Sequence, residues 1–288
     1  MTDTFTLETP EATLVYDVRG PLPPAGGRPP LVLVGHPMGA DGFATLASYF
    51  PDRTVVTYDP RGLGRSARKD GRTERTPEDN AEDIHHVIEA LGAGPVELFG
   101  SSGGAVNGLA LVTAHPGDVT TLVAHEPPLL ATLPDADRAF AAERAVHEAY
   151  HARGWGHGMA AFIALTSWRG EFTDEYAARP APDPAGFGLP AQDDGGRDDP
   201  LLSGISDPIT AYRPDFAALQ AGPARVVIGV GVESRDLLTG RTSEATARAL
   251  GQEAVVFPSH HVGFAGPELG MAGEPETFAA RLREVLGG

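Results

Sequence analysis

Residues Pro95 to Leu111 read PVELFGSSGGAVNGLAL, and the architecture follows from this stretch. A short apolar run (Val96, Leu98, Phe99) enters Gly100-Ser101-Ser102-Gly103-Gly104. A small-residue helical pattern (Ala105, Val106, Leu109, Ala110, Leu111) leaves it. The order is strand, tight turn, helix, with Ser102 at the centre of G-x-S-x-G. Such a turn is sharp, and flanking glycines let the backbone pass close to itself. The Ser102 hydroxyl is expected at the tip of a sheet, with the Gly103 N–H aimed at the same space. A nucleophile and half of an oxyanion hole then come from one turn. Standing alone the motif is weak, because a chain with 36 Gly offers many ordinary Gly/Ser loops.

The flanking chain supplies the context. Phe5 to Arg19 alternates as a hairpin with Thr9-Pro10-Glu11 as its turn, and 21–30 is a Pro/Gly loop. Leu31 to Val34 is a wholly apolar run, as a buried parallel strand should be, and ends in Gly35-His36-Pro37-Met38-Gly39. Thr54 to Tyr58 is the next strand. A helix is expected from Thr76 as N-cap, with Pro77 first and Glu78 and Asp79 in the opening turn, to Leu91, stopped by Gly92. After the elbow come a strand over Thr121–Ala124 and His125-Glu126-Pro127-Pro128. From 129 to 222 the pattern changes to helical stretches (Asp137–Ala152, Trp155–Trp168) and a Pro/Gly/Asp-rich segment, which reads as an inserted cap. Alternation then resumes with strand Arg225–Gly229, helix Ser243–Leu250, strand Ala254–Phe257 and helix Pro275–Leu286. The fold class is therefore α/β, a mainly parallel, doubly wound sheet. Its core spans 1–128 and 223–288, and the helical cap 129–222.

Composition narrows the partners. A formal charge of −17 argues against nucleic acid and anionic membrane surfaces. With no cysteine, disulfides and thiolate metal sites are excluded. No signal peptide or membrane-length apolar run is visible, so a cytoplasmic chain acting on a small molecule is expected.

A serine needs a base, and the base a carboxylate to orient it. The base belongs on a loop at the carboxyl ends of the strands. The last strand ends in Phe257-Pro258-Ser259-His260-His261, so two histidines fall there. Over nearly its whole length the chain resembles the α/β-hydrolase fold family, on the loop His36 to Gly39, the turn Asp59 to Ser66 and the elbow Gly100 to Gly104. The resemblance favours His261 over His260 as base and implies the Met38 N–H as second oxyanion donor beside Gly103. It also implies a carboxylate at G-x-x-D after the next-to-last strand, but this chain reads Gly231-Val232-Glu233-Ser234. Glu233 and Asp236 are each displaced in register. Some relatives place the acid after the strand that follows the elbow helix, where Glu126 sits before two prolines. Glu126 is the preferred acid. The Asp59–Ser66 turn reads as structural.

The resemblance implies a serine hydrolase for a small carboxylester or lactone, needing no organic cofactor or metal. Cofactor-free perhydrolase or haloperoxidase chemistry on the same triad is an alternative, as is a non-catalytic ligand-binding protein. A third alternative comes from 147–157, which spells H-E-x-x-H-x-x-G-x-x-H, the zinc pattern of metzincin proteases, through His147, His151 and His157. Its position inside the cap, without a convincing Met-turn, favours a plain helix with solvated His and Glu.

Overall fold

The computed structural model describes residues 2–24 and 27–287; of the expected Pro/Gly loop, positions 25 and 26 lie outside the described residues. Strands β1 (Thr2–Glu8) and β2 (Ala12–Arg19) form the antiparallel hairpin, closed by the Thr9 N–H on the Ala12 carbonyl. There follow β3 (Leu31–Val34), helix α1 (Ala44–Ser48), β4 (Val55–Tyr58), the two-residue β5 (Ala67–Arg68), α2 (Pro77–Leu91), β6 (Val96–Ser101), α3 (Gly103–Ala114) and β7 (Val119–His125). The chain then leaves the sheet for α4 (Ala136–Arg153), α5 (Trp155–Thr166), α6 (Asp174–Ala177), α7 (Asp207–Ala211) and α8 (Phe216–Ala221). It returns as β8 (Arg225–Gly231), α9 (Leu238–Ala249), β9 (Val255–Phe257) and α10 (Pro275–Leu286).

The strand order is β1-β2-β4-β3-β6-β7-β8-β9, with β5 on β2. Pairing is parallel from β4 through β9 and antiparallel at β1, β2 and β5. Alternation along each central strand feeds two cores. Val32, Val34, Leu98 and Leu122 face α2 and α3, whereas Leu31, Leu33, Phe99 and Val123 face α1 and α10. Burial on both faces is why these strands read as continuous apolar runs. A third apolar cluster, including Leu133, Val146, Tyr150, Leu165 and Phe172, holds the 130–202 helices together and reaches the sheet domain through Leu238 and Ala245 of α9.

Local signals account for the boundaries. The Thr76 hydroxyl accepts the Asp79 N–H at 3.1 Å, and Gly92 ends α2 at φ 60°. Such an N-cap contributes about 1 kcal/mol. Helix α9 begins five residues earlier than the sequence pattern suggests, at Leu238, because Gly240 lets it pack on the Ser234 carbonyl. The short α7 and α8 have too few turns to show a helical period. No helix among the described residues is long and apolar enough to cross a membrane.

The sheet order places the site. From β3 the chain steps to β4 on one side, then to β6 on the other. The loops leaving β3 and β6 therefore part in opposite directions and open a crevice at their carboxyl ends. His36 follows β3 and Ser102 follows β6.

Candidate active site

A cavity of about 760 Å³ opens at this crevice and is lined by Ser102, Gly103, His36, His260 and His261 together with side chains of α4, α5 and α7. Ser102 sits between β6 and α3 at φ 56°, ψ −127°. A β-carbon on Gly104 would lie 2.2 Å from the Val34 carbonyl oxygen, and one on Gly100 2.6 Å from the Gly104 oxygen. The elbow thus closes only with glycine at both places. Among the described residues the non-glycine positions at positive φ are Ser102, Glu126 (51°) and Ser259 (65°). Each such residue costs roughly 1–3 kcal/mol, and strain of this kind collects at functional sites. Here it falls on the serine, the carboxylate and the residue two before His261.

The structure brings Glu126 and His261 together across 135 residues of chain: His261 Nδ1 lies 2.7 Å from Glu126 Oε2. Glu126 is fully buried. Its Oε1 accepts the Gly231 N–H at 2.8 Å, and its Oε2 accepts the Thr239 hydroxyl at 2.5 Å. Burial would raise this carboxyl, but the bonds and charge from His261, with His125 and Thr239, outweigh it and hold it well below the usual carboxylate range. As an ionised acceptor Glu126 accepts a hydrogen bond from Nδ1–H, so the neutral imidazole of His261 carries a bare Nε2. Glu233 and Asp236, the other carboxylates weighed, are exposed, and Asp236 faces Arg169 at 3.7 Å. In their place the buried Ser234 lines the cavity. His260 also lines it, but its Nδ1 accepts the Val262 N–H at 3.3 Å.

The structure does not bring Met38 to the cavity. Its side chain folds back over Gly35 and Gly42. The residue against the elbow is His36, whose carbonyl oxygen would stand 2.9 Å from a β-carbon on Gly103. The N–H groups of His36, Met38 and Gly103 all lack a partner among the described residues. Sequence reasoning placed the second donor at Met38, on the far side of Pro37 from His36. His36 is the second residue after β3. The Asp59 turn buttresses the same loop, as its carboxylate accepts the Ala40 N–H at 2.8 Å and Arg65 Nε at 2.6 Å.

The zinc-like motif does not assemble. His147 Nε2 lies 3.4 Å from Asp207 in the cavity wall, while His151 Nε2 bonds the Ser203 carbonyl at 2.9 Å. Among the described residues the group with metal-ligand spacing is instead His85, His115 and Asp118, outside the cavity lining. There the two imidazoles stack at 3.8 Å and Asp118 bonds His85 Nδ1 at 2.7 Å.

Comparison with known proteins agrees with this fold. A family model described as the alpha/beta hydrolase fold matches residues 27–149. The chain is 30% identical over 288 residues to YraK, an uncharacterized hydrolase of Bacillus subtilis strain 168, covering 98% of this chain and 95% of that one. Its fold is similar to that of an esterase from Thermogutta terrifontis solved with malate bound (23% identity, TM-score 0.62, 99% and 98% of the two chains). It is equally similar to that of E-2-(acetamidomethylene)succinate hydrolase (22% identity, TM-score 0.62, 100% of both). With a relative alignable from end to end and the family model running through the elbow, this chain belongs to the α/β-hydrolase family.

Proposed function

We propose that the chain is a serine hydrolase that splits a small carboxylester or lactone through an acyl-enzyme on Ser102. One observation carries the reading: Ser102, strained outward on its elbow, faces the same cavity as a histidine whose Nδ1 is held at 2.7 Å by a buried carboxylate. Ser102 Oγ attacks the carbonyl carbon as its proton passes to His261 Nε2. The N–H groups of Gly103 and His36 receive the negative oxygen, an electrostatic contribution worth roughly 3–4 kcal/mol per donor. The tetrahedral species collapses as Nε2–H protonates the leaving alkoxide, which departs as alcohol or, in a lactone, stays as the hydroxyl end of the acyl chain. Water then gives a proton to Nε2 and its oxygen to the acyl carbon, and Ser102 recovers its proton as the acid leaves. Glu126 stays ionised throughout and stabilises the imidazolium. The helices between β7 and β8 act as a cap, and their Phe162, Ile163 and Leu165 give the acyl or alcohol group an apolar wall.

Intact-mass labelling by a fluorophosphonate tests this. Wild type is expected to gain one adduct and to hydrolyse p-nitrophenyl esters, and Ser102→Ala to do neither. Labelling and turnover that survive Ser102→Ala overturn the reading.

A further inference from the structure

One bond of the buried carboxylate has no part in the proton transfers above. Thr239, the second residue of α9, donates its hydroxyl to Glu126 Oε2 at 2.5 Å, the same oxygen that lies 2.7 Å from His261 Nδ1. Oε1 is taken by the Gly231 N–H. Among the described residues no side chain besides Thr239 and His261 bonds this carboxylate. A glutamate reaches its partner through one more methylene than an aspartate, so its plane has one more rotation to fix. The Gly231 N–H fixes one end of that plane and the Thr239 hydroxyl the other, which leaves Oε2 aimed at Nδ1.

The first turn of α9 is held from several sides. Gly240 lies against the Ser234 carbonyl, where a β-carbon would stand 1.9 Å from the oxygen. The Thr242 hydroxyl donates to the carbonyl of Pro127, the residue after Glu126, at 2.7 Å. On the cap side Leu238 packs in the cluster of Leu133 and Phe172, and Arg241 pairs with Asp135 and donates to the Gly170 carbonyl at 2.8 Å. Glu126 is itself held at φ 51°. A crowded helix start and a residue at positive φ thus meet in one hydroxyl–carboxylate bond.

We infer that Thr239 is a positioning residue for Glu126 and His261: its hydroxyl holds the carboxylate plane and draws charge from the oxygen that meets the imidazole. Two donors on one oxygen divide its charge, so Oε2 pulls less on the Nδ1 proton than it would with His261 alone. Without the hydroxyl the imidazole would keep a second proton to higher pH and could not accept the one from Ser102. The consequence for rate rests on the function proposed above; the sharing of Oε2 does not. Other titratable groups face the pair: His125 beside Glu126, His260 beside His261, and across the cavity His36, Glu143, His147 and Asp207. Substitutions at position 239 leave all of them in place, so a difference among those variants belongs to the hydroxyl.

The pH profile of kcat/KM on a p-nitrophenyl ester tests this for wild type, Thr239→Val, Thr239→Ala and Thr239→Ser, with circular dichroism for the fold. Thr239→Val keeps the shape and Thr239→Ala gives up bulk, but both lack the donor that Thr239→Ser retains. In Thr239→Val and Thr239→Ala the acid limb is expected to move to higher pH by about half a unit or more, roughly a threefold loss of rate below the limb. In Thr239→Ser it should stay with wild type. A side chain that only fills space would change melting temperature or KM and leave the limb in place. An unmoved limb in Thr239→Val and Thr239→Ala, or a Thr239→Ser limb that moves with theirs, overturns the inference. The ¹H resonance of His261 Nδ1–H gives a reading that needs no turnover, and it should move downfield in Thr239→Val and Thr239→Ala but not in Thr239→Ser. If Ser102 fails to take the fluorophosphonate while this resonance moves as expected, the hydrolase reading falls and the sharing of Oε2 stands. A labelled Ser102 with limb and resonance both unmoved does the reverse.

Discussion

Replacing Glu126 by glutamine changes one atom in a fully buried place, and its consequence can be worked from the bonds. The Gly231 N–H points at Oε1 at 2.8 Å, so the glutamine carbonyl must take that position; an amide NH2 there would set donor against donor. The NH2 is then forced to where Oε2 was, facing the Thr239 hydroxyl and His261 Nδ1. The hydroxyl can rotate to accept. The imidazole can accept only by moving its proton to Nε2, and a protonated Nε2 cannot take the Ser102 proton. A wrong tautomer of this kind costs about 10⁴-fold in the triad template, near 5 kcal/mol of transition-state stabilisation. Trading a charged acceptor for a neutral one costs stability roughly 1–2 kcal/mol, so the variant is expected to fold. The assay is kcat/KM on a p-nitrophenyl ester, with circular dichroism for the fold and ¹⁵N shifts of His261 for the tautomer. Glu126→Gln should be about 10⁴-fold slower with its proton on Nε2, and Glu233→Gln close to wild type. A folded Glu126→Gln within tenfold of wild type, or an inactive Glu233→Gln, refutes the assignment of the acid.

Three further outcomes follow from burial. Glu143 is raised from 4.5 to about 7 by burial, then by Asp207, so between these values the folded protein keeps a proton that the unfolded chain releases, and stability falls as pH rises. Glu143→Gln should therefore gain up to about 3 kcal/mol over wild type at pH 8 and almost nothing near pH 4.5 in urea denaturation; an equal difference at both pH values contradicts this. His125 is fully buried among Phe99, Phe257 and Phe278 with both ring nitrogens unpartnered among the described residues. Burial takes it from 6.5 to about 4, so the unfolded chain binds the extra proton and stability drops as pH falls from 6.5 towards 4. His125→Leu should lose up to about 3 kcal/mol less than wild type over that range, and parallel acid curves for the two proteins speak against it. Gly104→Ala sets a methyl 2.2 Å from a backbone oxygen and should cost about 3 kcal/mol or more. Gly117→Ala meets nothing within 4 Å and serves as the neutral control; equal melting temperatures would show that the elbow can relax.

Much of the architecture was legible because it rests on local chemistry. β3 and β6 announce themselves as apolar runs since both faces of each are covered, and α2 by Thr76, Pro77 and Gly92, each of which acts within one turn. The start of α9 was not legible, because Gly240 favours a helix there only once the Ser234 carbonyl is beside it. The 147–157 histidines read as a zinc set because spacing along one helix is local, yet His147 turns to Asp207 and His151 to Ser203, partners some 50 to 60 positions away in the chain.

Sequence alone established the α/β alternation, the glycine elbow around Ser102 and the short set of histidines and carboxylates able to serve it. Those follow from backbone sterics and periodicity, which act over a few residues. Which members meet was settled by the sheet. Parallel pairing of β7 and β8, and of β8 and β9, sets Glu126, Gly231 and His261 at neighbouring strand ends, and parting of the loops after β3 and β6 lays His36, not Met38, against Gly103. Charge inside the cavity is likewise tertiary. Glu143 looks like one more acid in an acidic chain until α4 and α7 pack together, where burial raises its carboxyl to about 7.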